Sequence, residues 1–508
     1  MQGRKGADMG GGMIAQHSPM SVLVLNAPFL PRFSRPQRSP AVTKSATLYF
    51  PLFLAQAAAV LLADGFAVDL CDAPADGLDL PAVLARARAL APGLAVIDTS
   101  TPSIAADIDA AAALREAVPD VFTVLVGPHA TALPEEALTR RPGAVCAVAR
   151  REYDDTVLEL ARVLESGPPT PERLAKIAGL SFVDAAGAAV HNPDRPYIED
   201  LDRLPPVAPV YKRFLDIRQY FNPNAKPPMV TLATSRGCPF RCSFCLHPQT
   251  LTGRAARCRS IDAVLGEVAW CLDNFPGLRT IFFEDDTLTA DRARCREFCA
   301  AIVRQGLAFE WSANSRADLP ADVLVAMARA GCRQVCVGFE SADPAALSSM
   351  KKGLGTERML RFRAEARAAG IKVHGCFIFG FPGDSRESIE KTIDFALRLN
   401  PDTAQFYPVM VYPGTEAYED YRARGFIEAA SWRDWLTPAG LHNCVVRNET
   451  LSPAALVRLC DRARRRFYLR PSFLARRALA AAASPGEMAR TARAAKTFVR
   501  HLLRGSKV

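Results

Sequence analysis

The chain has 508 residues, of which 49% are hydrophobic and 23% charged, and it carries a formal net charge of +10. A disordered chain is excluded by that composition, and the length points to about three folded units rather than one. Its apolar runs, such as the one around Leu52 to Leu62, fall short of the roughly 20 residues that cross a bilayer, so no transmembrane helix is expected.

Residues 1–20 are rich in Gly and Met and lack an apolar core with a cleavage site, so they read as a disordered leader, with Met20 a candidate start. Residues 21–165 alternate strand-like and helix-like segments. Strands are predicted at Val22–Leu25, Ala67–Cys71, Leu94–Asp98, Thr123–Val126 and Val145–Val148, with helices between them and a Pro-rich loop from Pro28 to Pro40. That order implies an α/β fold with a doubly wound parallel sheet, whose ligands sit at the carboxyl ends of the strands. Residues 166–228 read as a linker lying over both neighbours, with a hairpin at Gly179–His191 and then a proline-rich stretch.

A second alternating run occupies residues 229–420. Strands fall near Val230–Thr234, Thr280–Phe283, Glu310–Ala313, Gln334–Gly338, Val373–Phe379 and Thr403–Tyr407, which predicts a partial (β/α)6 barrel with its chemistry at the carboxyl ends. Residues 421–508 read as a helical region, and from Leu451 to Val508 fourteen Lys and Arg stand against two acidic residues. The basic character belongs to this tail.

Fourteen cysteines without a secretory signal point to a reducing compartment, the cytoplasm, where thiols are free to bind metal. Cys295 with Cys299, and Cys332 with Cys336, are spaced by four in or beside helix-like stretches and are expected to be buried as small hydrophobes. Cys238, Cys242 and Cys245 are different. They lie in Ser235-Arg-Gly-Cys-Pro-Phe-Arg-Cys-Ser-Phe-Cys245, directly after the first barrel strand, where three thiolates can point inward from one loop. On a four-iron cubane three thiolates leave one iron open to a cosubstrate. A zinc loop or an ordinary iron–sulfur carrier is the alternative, with Cys258 and His247 the nearest candidates for a fourth ligand.

With Phe244 before the last cysteine, this segment resembles the signature of the radical S-adenosylmethionine (SAM) superfamily. The resemblance implies a [4Fe–4S] cluster on Cys238, Cys242 and Cys245, SAM on the open iron, and reductive cleavage of SAM to a 5′-deoxyadenosyl radical. It also implies an external electron donor of flavodoxin or ferredoxin type. On the same basis Glu284 and Asp285, in Glu284-Asp-Asp286, are expected to contact the SAM amino group, with a solvated loop as the plain alternative. Ser312, Asn314 and Arg316 are expected at the ribose and carboxylate, and Glu340, Ser341, Gly380 and Gly383 at the ends of later strands.

The first unit resembles the B12-binding domain that precedes the barrel in one branch of that superfamily. The stretches carrying this are Asn26-Ala-Pro28, Thr99-Ser-Thr-Pro102, Gly127-Pro-His-Ala-Thr131 with Pro134-Glu-Glu136, and Arg151-Glu-Tyr153. Thr99, Ser100, Gly127, Pro128, His129 and Glu152 are the implied cobalamin contacts. The Asp-x-His-x-x-Gly signature of an axial histidine is absent, so His129 is expected to pack in its loop.

Within this branch the chain resembles hopanoid-biosynthesis-associated radical SAM proteins. Asn192-Pro-Asp-Arg-Pro196 with Tyr211-Lys-Arg213, Cys245-Leu-His-Pro-Gln-Thr250, Met350-Lys-Lys-Gly353 and Tyr412-Pro-Gly-Thr415 carry this likeness, although His247 and Ser315-Arg316 depart from the pattern. The expectation is a cobalamin-binding radical SAM enzyme that functionalises an unactivated carbon on a lipid-linked substrate such as a hopanoid side chain. Methylation of a peptide or other natural product is the second enzyme reading, and a non-catalytic iron–sulfur or zinc module the third.

The tail interleaves cations and aromatics in Arg464-Arg-Arg466, Phe467-Tyr-Leu469, Phe473-Leu474 and Arg476-Arg477, as interfacial segments do. Peripheral contact with the inner face of a membrane is the favoured partner surface and a solvated helix face the alternative. Nucleic acid is not expected.

Overall fold

A computed structural model describes residues 20–42 and 47–483, apart from the side chains of 480, 481 and 483. Strands β1 (Ser21–Asn26), β2 (Ala67–Asp72), β3 (Leu94–Asp98), β4 (Phe122–Val126) and β5 (Ala147–Ala149) are short apolar runs, largely buried on both faces. Such runs suit a parallel sheet covered by helices on each side. They pair in parallel in the order β2-β1-β3-β4-β5.

The expected hairpin forms, as β6 (Leu180–Val183) and β7 (Ala189–His191), but it does not stand in a linker. It extends the sheet past β5 in antiparallel sense. Asp184 Oδ1 closes its turn by accepting from the amides of Ala186 and Ala188. Strands of four and three residues, of which β7 forms the half-exposed edge, carry too short an alternation to be assigned to a sheet from sequence alone.

The second unit begins with β8 (Met229–Leu232), followed by the short antiparallel pair β9 (Ser235–Arg236) and β10 (Arg257–Cys258). Then come β11 (Thr280–Phe283), β12 (Glu310–Ser315), β13 (Cys332–Glu340), β14 (Lys372–Phe379) and β15 (Thr403–Pro408). All pair in parallel in the order β8-β11-β12-β13-β14-β15, which makes an open barrel of six strands with helices outside. The amino-terminal end is closed by residues 222–226: Ser312 Oγ donates to Asn224 O, Gln334 Nε2 to Asn224 Oδ1, and Lys226 pairs with Glu310.

The tail corrects an expectation. Helix Pro453–Tyr468, capped by Ser452, lays Leu456, Leu459, Cys460, Ala463 and Phe467 into the barrel core. Arg464 donates to Phe406 O, Arg466 pairs with Glu390 and Asp394, and the Tyr468 hydroxyl exchanges hydrogen bonds with the backbone of Ala404. Phe473 is buried as well. Of the residues expected at a lipid interface, Phe467 and Phe473 are core residues and Tyr468 is half-buried, while Leu469 and Leu474 are exposed; the helix's period of 3.6 places Arg462 and Arg466 over Glu390 and Asp394. The remaining basic residues of 484–508 lie outside the described residues. No described helix is long and apolar enough to cross a membrane.

The Pro-rich loop after β1 is held by Arg35, which donates to Asn26 Oδ1, Ala27 O and Asp107 Oδ1, each at 2.6 Å, with both members of the ion pair fully buried. Breaking a buried pair from one side leaves a charge without compensation, so Arg35→Met should cost about 3–5 kcal/mol in urea unfolding. A second expectation concerns pH. Burial pushes the Asp98 carboxyl up to about 7, against the opposing pull of Arg35. Between its ordinary value near 4 and about 7 the folded state holds more protons than the unfolded one, so this contribution is full at low pH and is lost as pH rises through 7. Asp98→Asn should therefore gain stability over the wild type at pH 8 and match it near pH 4, read from urea midpoints of the cofactor-free protein.

Candidate active site

The cysteine loop leaves β9 at Arg236 and is anchored residue by residue. Gly237 has φ +87°, and a Cβ there would lie 2.0 Å from Ala255 O, so only glycine lets the chain turn here. The Cys238 amide donates to Gly253 O, the Ser243 amide to Met350 O, and Gln249 Nε2 to the carbonyls of Ser243 and Cys245. Cys238 and Cys242 are buried and Cys245 half-buried.

The acidic triplet after β11 divides its work, and the structure refines what was expected of it. Asp285 Oδ1 accepts from the Thr234 amide, Thr234 Oγ1 and Ser235 Oγ. Asp286 Oδ2 accepts from the Gly237 amide and Thr252 Oγ1. Glu284 Oε1 takes Arg38 Nη1 at 2.5 Å and Asn314 Nδ2 at 3.3 Å. Each carboxylate nonetheless keeps one buried oxygen without a hydrogen-bond partner: Glu284 Oε2, Asp285 Oδ2 and Asp286 Oδ1.

Further round the mouth, Arg316 stacks on Phe240 inside the cysteine loop, 3.7 Å from the ring centre, and donates to Lys352 O. Glu340, at φ +67° in a bulge of β13, pairs with Lys352 Nζ at 2.9 Å, both side chains being almost wholly buried. Gly338 makes the room: a Cβ there would sit 2.0 Å from Glu340 Oε1. Lys352 was not identified as a site residue from sequence, although its surrounding Met-Lys-Lys-Gly stretch stood out.

Four expected contacts point elsewhere. Ser312 is committed to the plug at the opposite end of the barrel. Ser341 Oγ bonds Thr392 Oγ1 of the helix Arg386–Leu399 and accepts from the Asp343 amide. Gly380 is needed because Leu456 packs where its Cβ would be, 2.7 Å away, and the Gly383 amide donates to Glu449. The Gly380–Gly383 turn reaches the cysteine loop through Phe381, which meets Phe244 edge to face. In each case the motif's position at a strand end was readable, and the side chain's direction was not.

The first unit faces this mouth with its strand ends. Thr99 bonds Val126 O through both its amide and its hydroxyl, and Ser100 Oγ bonds Ser103 Oγ. Gly127, at φ +104°, lies so close to Thr99 O that a Cβ would meet it at 2.6 Å, and Pro128 opens the short helix after it. His129 packs in its loop against Thr101 Oγ1 and Trp432, burial lowers its pKa to about 3, and its Nε2 has no partner.

Glu152 corrects another expectation, since it serves the interface between units. Both its oxygens take Arg257 at 2.7 Å, and Oε2 also accepts from the Ile198 amide. Beside it Asp154 takes Arg236, the residue before Gly237, at 2.6 Å. Arg38, from the Pro-rich loop, enters the barrel mouth, where Glu284 and Asp286 hold its charge against the cost of burial. Nothing in its local sequence marked it.

These residues fit the groups that the motifs imply. Glu284 Oε2 and Asp285 Oδ2 suit an ammonium group, because a buried unpaired acceptor is costly until something donates to it, whereas Asp286 Oδ1 already faces Arg38 at 3.5 Å. Burial pushes the Cys238 thiol up and Cys245 to about 12, so those thiols stay protonated until a metal takes them. Glu152→Ala leaves Arg257 buried without its carboxylate and should cost about 3–5 kcal/mol in urea unfolding. The same variant should hold less iron per chain after reconstitution, as the cysteine loop loses its footing.

A radical SAM superfamily model matches residues 232–396, and a B12 binding domain model matches residues 38–161. An uncharacterized methyltransferase of Pyrococcus horikoshii is 31% identical over 356 residues, covering 70% of this chain and 74% of its own. The anaerobic magnesium-protoporphyrin IX monomethyl ester cyclase of Rubrivivax gelatinosus is 26% identical, over 84% of this chain and 74% of its own. The hopanoid C-3 methylase of Methylococcus capsulatus is 24% identical, over 61% and 57%. In structure, the radical SAM methyltransferase TsrM of Kitasatospora setae shares the fold across 89% of both chains, with a TM-score of 0.65 at 17% identity. The chain is a radical SAM enzyme and belongs to the branch of the superfamily in which a B12 binding domain precedes the barrel.

Proposed function

We propose that this enzyme transfers a methyl group to an unactivated carbon of a small, largely apolar molecule, with a polycyclic lipid of the hopanoid type as the leading substrate class. One observation carries the reading: Arg38 and Tyr49 of the first unit stand in the same space as Glu284 and Cys245 of the barrel. Residues of the B12 binding domain thus line the mouth in which the cysteine loop sits. Methyl transfer is supported by the methyltransferases among the relatives, and the lipid class by the likeness to hopanoid C-3 methylase.

When bound, a [4Fe–4S] cluster, SAM and cobalamin supply radical initiation and methyl carriage, with electrons from an external donor of flavodoxin or ferredoxin type. Cys238, Cys242 and Cys245 would hold the cluster. The free oxygens of Glu284 and Asp285 would take the SAM ammonium. Thr99, Gly127 and the helix opened by Pro128 offer the corrin a close-packed edge, while His129, buried and neutral, keeps its loop in place. Burial also holds the Tyr49 phenol protonated, so it enters the mouth as a neutral donor.

The test is anaerobic reconstitution followed by incubation with methyl-labelled SAM and a total lipid extract. A product that gains the labelled carbon supports methyl transfer, and a rearranged product without label would sink it. Cys238→Ala, Cys242→Ala and Cys245→Ala should each abolish 5′-deoxyadenosine release, since no fourth thiol stands in the loop to replace them. Cys258→Ala, Cys295→Ala and Cys332→Ala should leave it intact.

A further inference from the structure

Cys332 and Cys336 part company in the folded chain. A bulge where β12 pairs with β13, between Trp311 and Ser312, shifts the register. Cys332 ends buried beside Cys295, under the outer helix Arg292–Arg304. Cys336 is half-buried on the opposite face, and its neighbours are on β14. There His374 is its register partner and Cys376 lies two residues further along. One donor atom from each of Cys336, His374 and Cys376 lies within 4.8 Å of the other two, and among the described residues no other such set of three is found.

We propose that Cys336, His374 and Cys376 form a binding site for one thiophilic divalent cation of the zinc class, distinct from the three-cysteine loop. The two sulfurs are 3.8 Å apart. Thiolates bonded to one zinc at about 2.3 Å and at the tetrahedral angle stand about 3.8 Å from each other, whereas a disulfide needs about 2.05 Å. His374 Nδ1 is 2.8 Å from Thr403 Oγ1 of β15, a contact that fixes the ring as outer partners fix metal-ligating imidazoles. Soft sulfur donors with one imidazole select zinc over calcium or magnesium, which take oxygen.

Three protein ligands leave the fourth position open, the arrangement of zinc sites that bind a substrate or water. Here it gives onto the barrel interior, because Tyr49 and Tyr407 are both neighbours of Cys336 and Cys376, and Tyr407 is also a neighbour of Cys245. An ion at this place would hold a donor atom of the substrate, a hydroxyl, carboxylate or thiolate, in the space shared with the cysteine loop. The ion is a docking point for substrate rather than a partner in radical initiation.

The experiment uses the anaerobically reconstituted holoenzyme, so that the cysteine loop is already filled with iron. Dialysed against zinc and then buffer, the wild type should retain about one zinc beside about four iron per chain. The Cys336→Ser, Cys376→Ser double variant should lose the zinc and keep the iron, which also reports that it has folded. Thr403→Val should weaken zinc binding about 10- to 100-fold with iron unchanged. X-ray absorption at the zinc edge of the wild type needs no variant and should show two sulfur neighbours at about 2.3 Å with nitrogen or oxygen completing the shell. A wild type that retains no zinc, a double variant that retains all of it, or a Cys336–Cys376 disulfide found by mass spectrometry under the same anaerobic conditions would overturn the site. None of these results depends on which carbon is methylated.

Discussion

The arrangement of the whole molecule depends on two buried ion pairs, Glu152 with Arg257 and Asp154 with Arg236. All four side chains are almost wholly withdrawn from water, so each charge can be tolerated only while its partner is present. The arginines come from the two strands that flank the cysteine loop, and the acids from the segment joining β5 to its following helix. The loop that carries the three thiols is therefore anchored to the B12 binding domain as firmly as to its own barrel. Packing between the units adds to this, because one continuous apolar core runs from the helix Leu52–Ala63 into the barrel.

Much of the fold was legible because its signals are long and redundant. Six apolar runs alternating with helical stretches define an open barrel whatever the details of any one of them, and the spacing of Cys238, Cys242 and Cys245 after the first of these runs is specific. The hairpin β6–β7 was visible as a hairpin and misplaced as linker, since nothing in so short a pair of strands states which sheet edge it joins. The site residues divide along a similar line. Motifs at strand ends were locatable, but whether a side chain turns inward depends on bulges and on contacts distant in sequence. Ser312 and Ser341 turn to other partners, while Glu340 reaches the mouth through a bulge at positive φ.

The stretches that set this chain apart within its branch prove to be mainly fasteners. Asn192 holds the carbonyls of Leu174 and Ile177, Arg195 meets Glu159, the Met350 carbonyl accepts from the cysteine loop, and the Tyr412 hydroxyl bonds Ser39. In this chain these residues hold segments of the fold together. Tyr49, Cys336, Cys376 and Tyr407 lie near one another in the space between the units, and of these only Cys336 stood out in the sequence, through its spacing from Cys332.

Arg38 carries a consequence for how such proteins diversify. The acidic triplet at the barrel mouth meets a cation contributed by the neighbouring unit, which pairs with Glu284 and Asp286. A barrel inherited alone, or recombined with a foreign first domain lacking an arginine at this point, would present an uncompensated cluster of buried carboxylates. The two units are consequently not freely interchangeable modules. Within this chain the units are matched by charge, so the barrel joined to another first domain would need a cation at this point to balance Glu284 and Asp286.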